Sequence, residues 1–97
     1  MDNRELKKKI HDYLLKVGIK PHNSGFTYLS DAIEMMIEKN MLKPKMYSVI
    51  YQKIASKYSM HWSRVERCIR YVIKKANDEV KSMKPGLFVA MAALEVK

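Results

Sequence analysis

The chain has 97 residues, of which 47% are apolar, and a net charge of +9. That composition suits a single domain over residues 1–97 with one modest core, and it excludes a disordered polar chain. No apolar run approaches the ~20 residues of a membrane span, the charged N-terminus lacks a signal-peptide core, and the lone Cys68 cannot form an internal disulfide, so a cytoplasmic protein without membrane association is expected.

Leu6, Ile10, Tyr13, Leu14 and Val17 recur at helical spacing, which predicts a first helix over Arg4–Val17. Gly18 is placed to end it in a left-handed conformation, and Pro21 forbids continuation. After a loop over Ile19–Gly25, a second helix is predicted from about Phe26 to Lys39. Its buried side would be Tyr28, Leu29, Ala32, Ile33, Met36 and Ile37. Asn40–Lys43 makes a short connection. Pro44 then suits the first turn of a third helix, where its missing N–H is not needed. Met46, Val49, Ile50 and Ile54 carry the apolar stripe of that helix to about Tyr58.

Ser59 offers a side-chain cap for a fourth helix, predicted to run through Ala76 and on towards Ser82. Within it, Trp62–Lys75 sorts into two opposed stripes. Trp62, Val65, Ile69, Val72, Ile73 and Ala76 fall on one side. Arg64, Arg67, Arg70, Tyr71 and Lys74 fall opposite, with Glu66 on the shoulder. Trp62 is read as a core anchor, and Cys68, between the stripes, as a small packing residue. Lys84-Pro85-Gly86 breaks the helix, and Leu87, Phe88, Met91 and Leu94 give a short terminal one. No segment alternates with period two for long enough to suggest a sheet. The fold class expected is all-α, about five helices around one core, with methionines as adaptable filler.

Chemistry of an enzyme is not written here. His11, His22 and His61 are scattered, and no Cys or His pair has metal-ligand spacing. Gly-rich phosphate loops, nucleophile elbows and paired carboxylates are missing, so no catalytic residue, metal or cofactor is expected. His22 is read as a structural histidine bonded to its loop, with a phosphate contact as the second reading. His11 and His61 are read as surface residues. Charge is more informative. Nine basic residues and one acid, Glu66, lie between Lys43 and Lys75, while the other ten basic and nine acidic residues nearly cancel. A solvated basic face would explain lysines alone. Three arginines on one stripe favour a polyanion, because guanidinium makes bidentate contacts with guanine or phosphate.

The third and fourth helices, joined by a tight turn at Ser59-Met60-His61, match a helix-turn-helix over about residues 44–76. Ala55 supplies the small residue that lets the second helix cross closely. Four motifs then resemble one family. Ser63-Arg64-Val65-Glu66-Arg67-x-Ile69-Arg70 is similar to the recognition-helix signature of the C-terminal effector domain of the sporulation master response regulator, stage 0 sporulation protein A. Upstream, Gly18-Ile19-x-Pro21-His22-x-x-Gly25-x-x-Tyr28-Leu29-x-x-Ala32-Ile33 resembles that domain's first loop and second helix, and Ile54-Ala55-x-Lys57-Tyr58 the end of its scaffold helix. Lys84-Pro85 with Phe88-Val89-Ala90-Met91 resembles its last helix.

The resemblance implies double-stranded DNA as partner and regulation of transcription. It places Arg64, Glu66 and Arg67 at base edges, where Arg donates to guanine O6 and N7 and Glu accepts from the cytosine amino group. Ser63, Arg70, Tyr71, Lys74 and Lys57 would touch the backbone and set register. Two departures stand out: Met60-His61-Trp62 replaces a Thr/Ala-rich turn, and Tyr71 stands where the family has histidine. The region before the last helix, which in the family contributes to contact with the polymerase sigma factor, is shorter here. A homodimer would form through the terminal helix (Phe88, Met91, Leu94). The alternative from another class is a protein-interaction module whose basic face meets an acidic partner. RNA ranks third, because no aromatic stacking platform accompanies the stripe.

Overall fold

A computed structural model describes residues 3–39 and 47–96. Six α-helices and no strand occur among the described residues: α1 Asn3–Lys16, α2 Ser24–Glu38, α3 Tyr47–Lys57, α4 Trp62–Lys74, α5 Asp78–Lys81 and α6 Pro85–Val96. The class is all-α, as expected, with one helix more than the spacing suggested. The Asn40–Lys43 connection, Pro44 and Met46 lie outside the described residues.

α2 is the hub, packing against α1, α3, α4 and α6. Its apolar spacing explains this role. Leu29, Ala32, Ile33 and Met36 are fully buried, and Phe26 and Tyr28 nearly so. Ile10 and Leu14 from α1, Ile50 and Ile54 from α3, and Ile69 and Ile73 from α4 close the same core. Val49 departs from its expected place and is exposed, while Tyr51, two residues on, takes the buried position.

Two helix ends use the same device. After α1, the N–H of Gly18 bonds Leu15 O at 3.1 Å and that of Ile19 bonds Leu14 O at 3.0 Å, with Gly18 at φ +90°. This pairing is the Schellman termination, and Leu14 and buried Ile19 add its usual apolar contact. After α3, Ser59 N–H bonds Ser56 O at 3.3 Å and Met60 N–H bonds Ala55 O at 2.9 Å, with Ser59 at φ 54°. Ser59 therefore terminates α3 and does not cap α4. The cap expected of it is made by His61.

α4 ends at Lys74, short of the expected Ala76–Ser82. Asn77 is the cause. Its N–H bonds Val17 O at 2.9 Å and its side-chain amide donates to Lys16 O at 3.3 Å, so the chain leaves the helix to clasp the end of α1. Asn77 then stands at the N-cap of the four-residue α5. α6 begins on Pro85 itself, which suits a first-turn position as well as it suits a break. On α6, Phe88 is fully buried beside the Tyr13 ring, their centroids 6.3 Å apart. Phe88 is thus no dimer contact; Met91 is half-buried, and only Leu87 and Leu94 present exposed apolar surface there.

Glu34 on α2 is a local fault in this packing, because its Oε2 is buried and meets no hydrogen-bond donor. Burial raises its pKa above the usual carboxylate value, Lys7 opposes that rise, and Glu38 and Asp31 add to it, with Lys57 lowering it slightly. A raised folded pKa means that stability is fully present below the ordinary carboxylate range and declines as pH rises through the folded value. Glu34→Gln, permanently uncharged, is expected to be more stable than the parent at pH 7. The gap should close as the solution is acidified below pH ~4. Denaturant midpoints across that pH range check this, and a gap that stays constant would assign the effect to something other than ionisation.

Candidate nucleic-acid interface

α4 carries three of the chain's four arginines, and its two faces separate as the spacing requires. Val65, Ile69, Val72 and Ile73 are buried against α2 and α3. Arg64, Arg67, Arg70, Tyr71 and Lys74 are all exposed. Apolar burial of the inner face, at roughly 1.5–3 kcal/mol per large side chain, holds the helix rigidly while the outer face stays in water. α3, in which Ala55 is buried, packs against it.

The start of α4 is fixed by residues that sequence spacing did not single out. His61 Nδ1 accepts from Ser63 N–H at 3.2 Å and lies 2.7 Å from Ser63 Oγ, whose hydroxyl can donate to it. An imidazole thus does the capping normally done by Ser, Thr, Asp or Asn. With Nδ1 accepting, the neutral ring carries its proton on Nε2, away from the helix. Ser63, expected at the DNA backbone, is half-buried and engaged in this cap. The readable signal was a polar ring two residues before a serine, a pattern easily passed over beside Ser59. Trp62 is not the expected core anchor: it is 44% exposed and tilts against the His61 ring, centroids 5.5 Å apart.

Other expected contacts are partly engaged within the chain. Arg70 Nη2 donates to Glu66 Oε1 one turn earlier, an ion pair with the acid on the favourable N-terminal side. An exposed pair of this kind contributes only about 0.3–0.5 kcal/mol. It orders both side chains without locking either. Lys57 Nζ bridges to Asp31 Oδ2 of α2 at 3.3 Å, and Tyr58 O–H donates to the same oxygen at 2.5 Å. Burial lowers the Lys57 pKa, but Asp31, helped by Tyr58, outweighs it and the net shift is upward. Lys57 is therefore a staple between α3 and α2 whose side chain stays 54% exposed.

The loop before α2 completes the face. A shallow open depression is lined by Asn23, Ser24, Gly25, Arg67, Cys68 and Tyr71, and a neighbouring one adds Lys20, His22 and Lys75 around Tyr71. Lys75 Nζ lies 5.5 Å from the Tyr71 ring centroid. His22 is exposed and stands in this basic rim, in place of the expected loop-bonding role. His11 is exposed too, against the Phe26 ring at 5.1 Å.

Among the described residues, no group of three His, Cys, Asp or Glu side chains could hold a metal ion, and no helix is long and apolar enough to cross a membrane. What the arrangement offers chemically is a rigid cationic helix edge with donors at several depths. In comparison with known families, the model described as sporulation initiation factor Spo0A C terminal matches residues 10–92.

Proposed function

Because the chain belongs to the family of sporulation initiation factor Spo0A C-terminal domains, we propose that it binds double-stranded DNA in a sequence-specific manner, with α4 as its major-groove helix, and regulates transcription as the family does. DNA binding by a sporulation regulator is the family's function; the assignment of roles along α4 is our reading. The carrying observation is the segregation of α4 into a fully packed apolar face and an exposed face bearing Arg64, Arg67, Arg70, Tyr71 and Lys74.

In this reading Arg64 and Arg67 reach base edges, and Glu66 serves both as an acceptor for cytosine and as the residue that aligns Arg70. Arg70, Tyr71 and Lys74 contact phosphates further along the helix, joined by the His22, Lys20 and Lys75 rim. Ser63 acts through the cap and Lys57 through the α2–α3 staple, each giving at most a peripheral phosphate contact. Regulation rests on occupancy of DNA, because the segment between α4 and α6 holds only the four-residue α5 and is assigned no contact with polymerase sigma factor.

Selection of bound sequences from a random duplex pool at near-physiological salt tests the reading. A single enriched motif is expected. Affinity for it should fall roughly 150- to 500-fold between 50 and 200 mM salt if about four or five phosphates are neutralised. Failure to enrich any duplex, even at low salt, would overturn it and favour the protein-interaction alternative.

A further inference from the structure

We propose that Trp62 is a specificity-determining residue which contacts the methyl group of a thymine at the edge of the bound site, an assignment that rests on α4 being the groove-reading helix. Trp62 is the first residue of α4 and is 44% exposed despite its large apolar ring. Cα–Cβ bonds tilt towards a helix's N-terminus, so a side chain at the first position projects past the leading end of the helix. In helix-turn-helix proteins that leading end is the part nearest base edges. The indole therefore stands at the leading end of α4, on the side of the wheel away from Arg64 but left exposed where the helix begins.

The ring is also pre-positioned. His61 is held by Ser63 through the cap, and the His61 ring lies 5.5 Å from the indole at an interplanar angle of 32°. A side chain ordered before binding loses less entropy when it meets its partner. Its chemistry then selects the partner. Base edges in the major groove present donors and acceptors almost everywhere; the apolar feature among the four standard bases is the C5 methyl of thymine. An arginine cannot use that group, and an indole can.

The test uses the whole chain and the duplex recovered by selection. Each thymine is replaced in turn by deoxyuridine, which removes only the methyl. Loss of one buried methyl corresponds to about threefold to fivefold in affinity. That loss is expected at one edge thymine for the parent protein, and it should vanish in Trp62→Ala while Arg67→Ala retains it. Trp62 is the chain's sole tryptophan, so its emission should shift to the blue or quench on the thymine duplex, and less on the deoxyuridine one. Both readouts on the parent stand without the variant. A duplex that binds with no thymine sensitive, or a sensitivity that survives Trp62→Ala, overturns the proposal alone. A pool that yields no duplex overturns the DNA-reading function beneath it as well.

Discussion

Gly25→Ala is expected to be the most damaging single-methyl change in the described part of the chain. Gly25 is buried in the first turn of α2, where that helix meets α4. A Cβ there would press into the carbonyl oxygen of Cys68, well inside van der Waals contact, and would lie 2.8 Å from both methyls of Val72. Val72 could rotate, but the oxygen belongs to the α4 backbone and moves only if the helix moves. Alanine recovers up to ~1 kcal/mol in helix propensity. Against this stands overpacking of a tight crossing, typically 1–3 kcal/mol and more where backbone must shift. The clash wins, and a net loss of about 2–3 kcal/mol is expected, equivalent to roughly 10–20 °C in Tm for a domain of this size. Chemical and thermal denaturation check it, with exposed Ser24→Ala as the neighbouring control. An unchanged midpoint for Gly25→Ala would show that α2 and α4 stand further apart than described.

The same crossing shows why some of this molecule was legible in its sequence. The stripe of α4 was readable because burial follows a period of 3.6 when a helix lies across a core, and Val65, Ile69, Val72 and Ile73 obey it. Gly18 was readable for a similarly local reason, since a left-handed residue after an apolar run needs no tertiary information. Trp62 lies on the same side of the helical wheel as the buried residues, yet it projects beyond the end of the core. Period gives an angle and not a depth. α6 failed for the opposite reason: it is apolar nearly all round, so no stripe distinguished buried Phe88 from exposed Leu87 and Leu94.

Competition between local signals accounts for the remaining differences. Ser59 has the side chain of a cap, but the Schellman turn after α3 claims its backbone first, and His61 two residues on fills the role. α4 has helical spacing beyond Lys74, but Asn77 finds partners on Lys16 and Val17, distant in sequence. The outer face of the candidate interface was therefore visible residue by residue. Its internal ties, Glu66 to Arg70 and Lys57 to Asp31, were not. The first is a choice among rotamers, and the second joins residues on different helices.

Those ties decide which arginine is expected to carry sequence recognition. Arg70 must exchange its pair with Glu66 before it can bind elsewhere, whereas among the described residues no ion pair holds Arg67. Arg67 is exposed near the middle of the outer stripe, and its guanidinium is free to make the bidentate contact with guanine. Arg67→Ala is expected to weaken binding to the selected duplex by about 1–3 kcal/mol, up to roughly 150-fold, with the preference relaxed at one base pair. On random duplex the same variant should lose far less, because non-specific affinity depends on total neutralised charge. Lys74→Ala provides the contrast. It should weaken specific and random duplex alike and flatten the salt dependence by about one phosphate. Neither substitution touches the core, so denaturation midpoints should stay within about 0.5 kcal/mol of the parent. Titrations of both variants on both duplexes at fixed salt separate the roles: equal losses for Arg67→Ala on specific and random DNA would move Arg67 from the base edges to the backbone and leave Arg64 as the arginine reader.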